Sequence, residues 1–225
     1  ILAECIDCAS ARYIDRVEIA GPGFINFFVS DAWFASIVSG VLEAGEEYGR
    51  SDIGKGEKVM VEFVSANPTG PMHMGNARGG AIGDCLAAAL DACGYDVTRE
   101  FYINDAGNQI EKFGLSLEAR YLQIYKGEEA VPFPEDGYHG EDIKERAQQY
   151  ADEHGDCLLD LSEQERRQAL VDFALPKNIE KLRTDLEKYR ITYDVWFPES
   201  TLHQSGAVKA VVDELTSRGM TYEKD

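Results

Sequence analysis

The run Lys58-Val59-Met60-Val61-Glu62-Phe63-Val64 constrains this chain more than any other segment. A near-continuous apolar run of this length suits a strand covered on both faces, as in a parallel sheet. Residues 65–72 form a Pro/Gly-rich loop, and residues 76–93 are long, helical in pattern and rich in Ala, Gly and Leu. Gly94 supplies a C-terminal stop, and residues 95–103 return to a strand pattern. Strand, helix and strand in that order make one β-α-β unit, so the fold class is α/β with a twisted parallel sheet. Within the helix, Ile82, Leu86, Ala89, Leu90 and Cys93 form an apolar stripe expected to face the core.

The flanking segments extend this plan. Residue Ile1 opens into a partly amphipathic helical pattern, and residues 21–30, GPGFINFFVS, read as a turn followed by a strand. A helix is expected over 31–47 and a Gly-rich linker over 48–57, so a small N-terminal region should end there. After Asn104 the pattern is helical to about Tyr125, and a Pro/Gly/acidic loop covers 127–142. Two helices are plausible between Ile143 and Tyr189; the second opens on Ser162 and Glu165, a capping-box spacing, and should be interrupted near Pro176. Residues 191–197 read as a buried strand and 205–218 as a helix ended by Gly219, with a further element starting over 221–225. Both ends look cut from something longer.

No apolar stretch reaches the length needed to span a bilayer, and the N-terminus lacks the layout of a secretory signal. Five scattered cysteines argue against a disulfide framework; Cys5 and Cys8 have CxxC spacing, but no second pair follows nearby. The natural location is the cytoplasm. A formal charge of -19 argues against a broad basic nucleic-acid face, although it leaves room for a local groove.

The loop after the first parallel strand carries the chemistry. In an open α/β sheet the crevice beyond the carboxyl ends of the strands is where ligands bind. Glycines there let the main chain approach a ligand, and the following helix N-terminus favours phosphate. Neither a Walker loop nor a dinucleotide fingerprint is present. His73 therefore has two readings: a structural histidine, or a donor to charge developing on a phosphate.

The run EFVSANPTGPMHMGNARGGAIGD, followed by GYDVTREFYINDAGNQI, resembles class I arginyl-tRNA synthetases of the bacterial type across residues 59–109. YHGEDI at 138–143 and YDVWFPES at 193–200 extend the resemblance, and FINFFVS at 24–30 looks like the end of that family's N-terminal additional domain. The resemblance implies a Rossmann-like nucleotide-binding fold with a parallel sheet and a helical insertion at about 108–190. A fragment of an α+β domain would precede it. Residues 1–55 would then be the end of the additional domain with its linker, and residues 56–225 part of the catalytic domain.

The implied reaction has two steps. The arginine carboxylate attacks the α-phosphate of ATP, releasing pyrophosphate, and the activated carboxyl passes to the terminal adenosine of an arginine-accepting tRNA. His73 and Asn76 would be the catalytic pair. Pro71, His73, Gly75, Asn76 and Gly79 would contact ATP, with Gly75 making room for the adenosine. Glu62, Ser65, Asn67 and Gln109 would bind L-arginine. A carboxylate at Glu62 suits a planar guanidinium, although a solvent-facing strand-end acid is its plain alternative. Asn67 would hold the amino or carboxylate group, a role compatible with an Asx turn before Pro68. Asp105 and Gly107 would shape the pocket wall. Magnesium would accompany ATP, with no protein ligands for it identifiable.

The sequence departs from the family at Asn76, where the signature normally has a second histidine. Asparagine still donates a hydrogen bond and could cap a helix beginning at Ala77, but it carries no positive charge. Reduced but measurable activation is the expectation. The second signature loop, of Lys-Met-Ser-Lys-Ser type, is absent from these residues, so residues 1–225 should not charge tRNA by themselves. The competing reading is a catalytically inactive module that binds tRNA or a partner protein.

Overall fold

A computed structural model of the chain describes residues 3–222, and the chain divides into two compact units, Ile1–Asp52 and Ile53–Asp225. In the first unit a short 3-10 turn, Ala3–Cys5, precedes an antiparallel pair, β1 (Ile14–Ala20) and β2 (Phe24–Val29). Helix α1 (Asp31–Ala44) follows, continued by a 3-10 turn at Gly45–Glu47. Strand β1 replaces the helical pattern expected near the N-terminus, and Ile1 itself lies outside the described residues. A bulge between Ile14 and Arg16 breaks the strand alternation. Half-buried residues fall at 14, 17 and 20, a spacing that imitates a helix.

The second unit is built on a parallel sheet of order β3-β4-β5, comprising Lys58–Glu62, Asp96–Ile103 and Val195–Pro198. Helix α2 (Met74–Ala92) connects the first two strands. Three helices lie in sequence between β4 and β5: α3 (Asn108–Lys126), α4 (Glu141–His154) and α5 (Glu163–Lys188). The chain then runs through α6 (Ser200–Gln204) and α7 (Ala207–Ser217). The helix expected over 205–218 is α7, and the short α6 before it was not expected; the two are separated at Gly206, whose φ of 75° is left-handed. The last strand begins at Val195, later than expected. Of the element expected over 221–225, residues 223–225 lie outside the described residues.

Helix α2 presents a different face to the core from the one its apolar stripe suggests. Ile82 and Leu86 are exposed, at 64% and 51%, whereas the buried residues are Gly80, Gly83 and Ala87. The reason is close approach: a Cβ on Gly83 would lie 2.2 Å from Phe63 Cγ, and one on Gly80 would lie 2.8 Å from Ile191 Cδ1. The absence of side chains, rather than their apolarity, seats the helix on Phe63 and Ile191.

Two buried clusters form. Phe113, Leu117, Tyr121, Ile143 and Leu170 anchor one among the helices between β4 and β5. Phe63, Phe101, Ile103, Leu182, Leu186 and Ile191 anchor the other at the sheet. Helix α5 belongs to both, through Leu170 and Ala174 in one half and Leu182 and Leu186 in the other. Its capping box forms as expected: Glu165 N–H donates to Ser162 Oγ at 3.3 Å, and Ser162 N–H donates to Glu165 Oε2 at 3.1 Å. The hydrogen bonds from Ser162 hold the Glu165 carboxyl below its ordinary range.

Pro176 does not interrupt α5, contrary to the sequence expectation. Pro176 and Asp172 are both exposed, so the missing N–H and the carbonyl it would have met belong to the exposed side of the helix. Burial on both sides of the proline outweighs a penalty of about 3 kcal/mol.

The glycine face of α2 generates a paired prediction. Gly83→Ala should destabilise the protein by about 1–3 kcal/mol through overpacking against Phe63. Gly79, where an added Cβ meets nothing within 4 Å, should instead gain up to about 1 kcal/mol as alanine. Urea unfolding of the two variants measures both; equal effects would mean that the close approach has been misassigned.

Candidate active site

The site begins where β3 ends. Phe63 N–H still donates to Glu100 O at 3.3 Å, extending the parallel pairing by one residue. The chain then turns abruptly: Val64 has φ 67° and Ser65 φ 43°, and Ser65 N–H donates to Phe63 O at 3.0 Å. This is the strained form of γ-turn, with positive φ at its centre. For a β-branched residue that conformation costs on the order of 1–3 kcal/mol.

The turn brings the Ser65 hydroxyl back over the sheet. It accepts from Tyr102 N–H at 3.1 Å and donates to the Glu62 carboxylate. Glu62 is thereby oriented by its own loop and tied to β4. Tyr102 Oη donates to Glu199 at 2.9 Å, and burial, followed by that bond, pushes its phenol above the ordinary value. The group therefore stays a donor at neutral pH.

His73 is the N-cap of α2, which starts two residues earlier than the sequence suggests. Its Nδ1 accepts from Gly75 N–H at 3.0 Å, while Asn76 Oδ1 accepts from His73 N–H at 3.0 Å. The capping role anticipated for Asn76 thus belongs to His73, and Asn76 closes the box from inside the first turn. An Nδ1 that accepts has no proton, so the neutral ring carries its proton on Nε2 and offers it outward. With Asn76 Oδ1 occupied, its Nδ2 amide is left as a second donor beside it.

Three amide and phenol groups join them in the cleft. Asn67 Nδ2 donates to Gln109 Oε1 at 3.3 Å, and Tyr138 Oη donates to the same oxygen at 2.6 Å. Tyr138 is held by its main chain, whose N–H donates to the buried Ser116 hydroxyl of α3 at 2.9 Å. With Oε1 doubly engaged, Gln109 presents its NH2, and Asn67 keeps a free carbonyl oxygen.

These residues line an open cleft of about 460 Å³, which brings together Ser65, Asn67, Pro71, His73, Asn76 and Gln109 with Tyr138. Glu62 joins it through Ser65 and is not itself on the wall. Gly75 and Gly79 lie off the wall as well. A Cβ on Gly75 would meet His73 Cε1 at 2.8 Å, so this glycine makes room for the imidazole. Asp105 points elsewhere, accepting from Ser200 N–H at 2.8 Å and Ser200 Oγ at 2.6 Å. It therefore ties the end of β4 to α6, and Gly107 serves as the N-cap position of α3. Sequence reasoning passed over Val64, Ala66, Thr69, Gly70 and Tyr138 on the wall; the signal for Tyr138 was its place at the head of YHGEDI.

The cleft wall contains no carboxylate, and among the described residues no group of three or more His, Cys, Asp or Glu side chains could hold a metal ion. Among the same residues, no helix is long and apolar enough to cross a membrane.

Comparison with known proteins agrees with this architecture. Residues 37–225 match the family described as tRNA synthetases class I (R), catalytic domain. An arginine–tRNA ligase of Acetivibrio thermocellus is 62% identical over 216 residues, covering 96% of this chain and 38% of that protein. One from Caldanaerobacter subterraneus is 59% identical over 216 residues, again covering 96% of this chain and 38% of that protein. A solved chain from Campylobacter jejuni superposes with a TM-score of 0.74 at 30% identity, covering 87% of this chain and 42% of its own. The Thermus thermophilus arginyl-tRNA synthetase shares the fold at 21% identity and a TM-score of 0.53, over 91% of this chain and 33% of its own. The chain thus spans 38% of the length of the first two relatives. With most of its residues inside the family match, the chain belongs to the class I (R) tRNA synthetases, through their catalytic domain.

Proposed function

We propose that the protein to which these residues belong activates L-arginine with ATP and transfers it to an arginine-accepting tRNA in the cytoplasm. The observation that supports this most is the convergence of two kinds of group in one cleft at the carboxyl end of a parallel sheet. One wall offers Asn67 Oδ1 and Gln109 Nε2, suited to an amino acid's ammonium and carboxylate. The other offers His73 Nε2–H and Asn76 Nδ2, suited to phosphate oxygens.

In this reading Glu62, aimed by Ser65, pairs with the guanidinium, and Tyr138 holds Gln109 in place. Pro71, Gly75 and Gly79 flank the nucleotide on the loop and the first turns of α2. Charge that grows on the α-phosphate as the arginine carboxylate attacks meets donors already in position. Magnesium comes with ATP as part of the substrate. Residues 1–55 form the end of an additional domain with its linker. Residues 56–225 are part of the catalytic domain, with the helices over about 108–190 as its insertion.

The test is arginine-dependent pyrophosphate exchange and tRNA charging by the complete gene product, with cognate tRNA present throughout. Arginine should stimulate exchange where cysteine and glutamate do not; tRNA binding without any exchange would leave only a binding module. His73→Ala should lower kcat for adenylation by about 10²–10³, the loss expected for one donor to a developing oxyanion. Asn76→His should raise kcat, because a second imidazole adds a donor that can carry charge. An unchanged kcat would show that Asn76 is no handicap. Glu62→Gln should raise KM for arginine by roughly 10- to 100-fold with a smaller effect on ATP. Equal effects on both substrates would remove Glu62 from the guanidinium site.

A further inference from the structure

The loop between β3 and α2 carries both halves of the proposed site; Pro68 and Thr69 are buried in it, yet few hydrogen bonds fix its backbone. From Ala66 to Met72, among the described residues, the main chain makes no main-chain hydrogen bond, and one side chain alone bonds to it. That side chain is Asn178 of α5, whose Nδ2 donates to the Pro68 carbonyl at 2.9 Å across 110 residues of sequence. Asn178 is 7% exposed, in the middle of a helix.

The amide is itself fixed. Asn178 Oδ1 accepts from Arg146 Nε of α4 at 2.8 Å, and Arg146 Nη1 donates to Gln149 Oε1 at 2.8 Å. A guanidinium only donates, so the oxygen of Asn178 must face Arg146 and its NH2 must face Pro68. A leucine would fill this helix position without burying an amide, and a buried amide is tolerated only when both its ends are bonded. Packing therefore does not call for asparagine here, whereas aiming a donor at Pro68 does.

The position of the bond matters. Pro68 directly follows Asn67, on the amino-acid wall, and His73 on the phosphate wall lies five residues beyond Pro68. Upstream, Val64 and Ser65 sit at strained positive φ, so a loop released from its tie has lower conformations to fall into. Beside the bond, Gly70 and Pro71 border a small cavity lined on the other side by Asp142, Arg146, Asn178 and Lys181.

We propose that Asn178, held by Arg146, is a positioning residue that fixes the Pro68 carbonyl and so sets the spacing between Asn67 and His73. The helices inserted between β4 and β5 thereby act on the geometry of the site. The inference rests on the reading of the cleft given above.

The test uses the complete gene product with cognate tRNA, comparing wild type with N178A, N178D and R146M. Active sites are counted by the pyrophosphate burst, so that misfolded protein does not enter kcat. N178D keeps the shape and the acceptor for Arg146 but turns the donor facing Pro68 into an acceptor. Both Asn178 variants should lose about 10- to 100-fold in kcat per active site, as for small displacements of a reacting group. KM for arginine and for ATP should change by no more than about threefold. R146M should lose less, because the freed amide still reaches Pro68 in one of its two orientations.

Hydrogen exchange over residues 64–77 supplies a readout that needs no activity. It should quicken in all three variants while β3 and β4 stay unchanged. A lower melting temperature with unchanged kcat per active site and unchanged loop exchange would overturn the proposal, leaving Asn178 a core residue only. So would a defect confined to the KM of one substrate. A wild type that does not activate arginine would overturn the functional reading alone, and the exchange data would still decide whether Asn178 holds the loop.

Discussion

The second unit is organised around the seat of Phe63. Its ring occupies the space that the missing side chain of Gly83 leaves on α2. Tyr193 lies against it with ring centroids 4.6 Å apart, and Tyr193 Oη donates to the Phe63 carbonyl at 3.1 Å. Burial pushes the Tyr193 phenol well above its ordinary value, so it remains a donor. The N–H of Phe63 is bound to Glu100 of β4 at the same time. One residue is thus gripped by a helix, a neighbouring strand and the segment leading into β5, and the strained turn at Val64 starts immediately after it.

That grip explains how a costly backbone persists next to a ligand cleft. A β-branched residue at positive φ survives only where its surroundings over-determine it. Here the preceding residue is immobilised and the following hydroxyl is bonded on two sides, to Tyr102 N–H and to Glu62. The same economy of parts recurs at His73, where a single imidazole caps a helix with one nitrogen while the ring lines the cleft. Structure and chemistry share atoms at both places, so a substitution in the loop changes both.

Legibility from sequence varied with the physical signal involved. Strand β3, the loop and α2 were readable because an apolar run, a Pro/Gly cluster and a helical pattern occur in an order that few folds accept. The Ser162–Glu165 box was readable because capping is local chemistry. The buried face of α2 was misread because hydrophobic periodicity weighs side chains, and this helix is seated by their absence at Gly80 and Gly83. Strand β1 was hidden because its half-buried residues fall at helical spacing instead of alternating. The cleft residues of the loop were legible as a block, whereas Tyr138 stood out only as part of a second, distant block. Asn178 has no local signature at all: it is one polar residue in a helix, and its meaning lies 110 positions away.

The sequence distance of those ties bears on the order in which the molecule comes together. The β3-α2-β4 segment has its parallel partners within some tens of residues, and its strand pairing closes early. The loop inside that segment waits for Asn178 and for Tyr193, which leave the ribosome more than a hundred residues later. A nascent chain whose β4 has cleared the ribosome has both partners of its first parallel pair, while the loop between β3 and α2 still lacks the residues that tie it. The geometry of the cleft is therefore a late product of synthesis, acquired when the last half of α5 and the approach to β5 dock on the sheet.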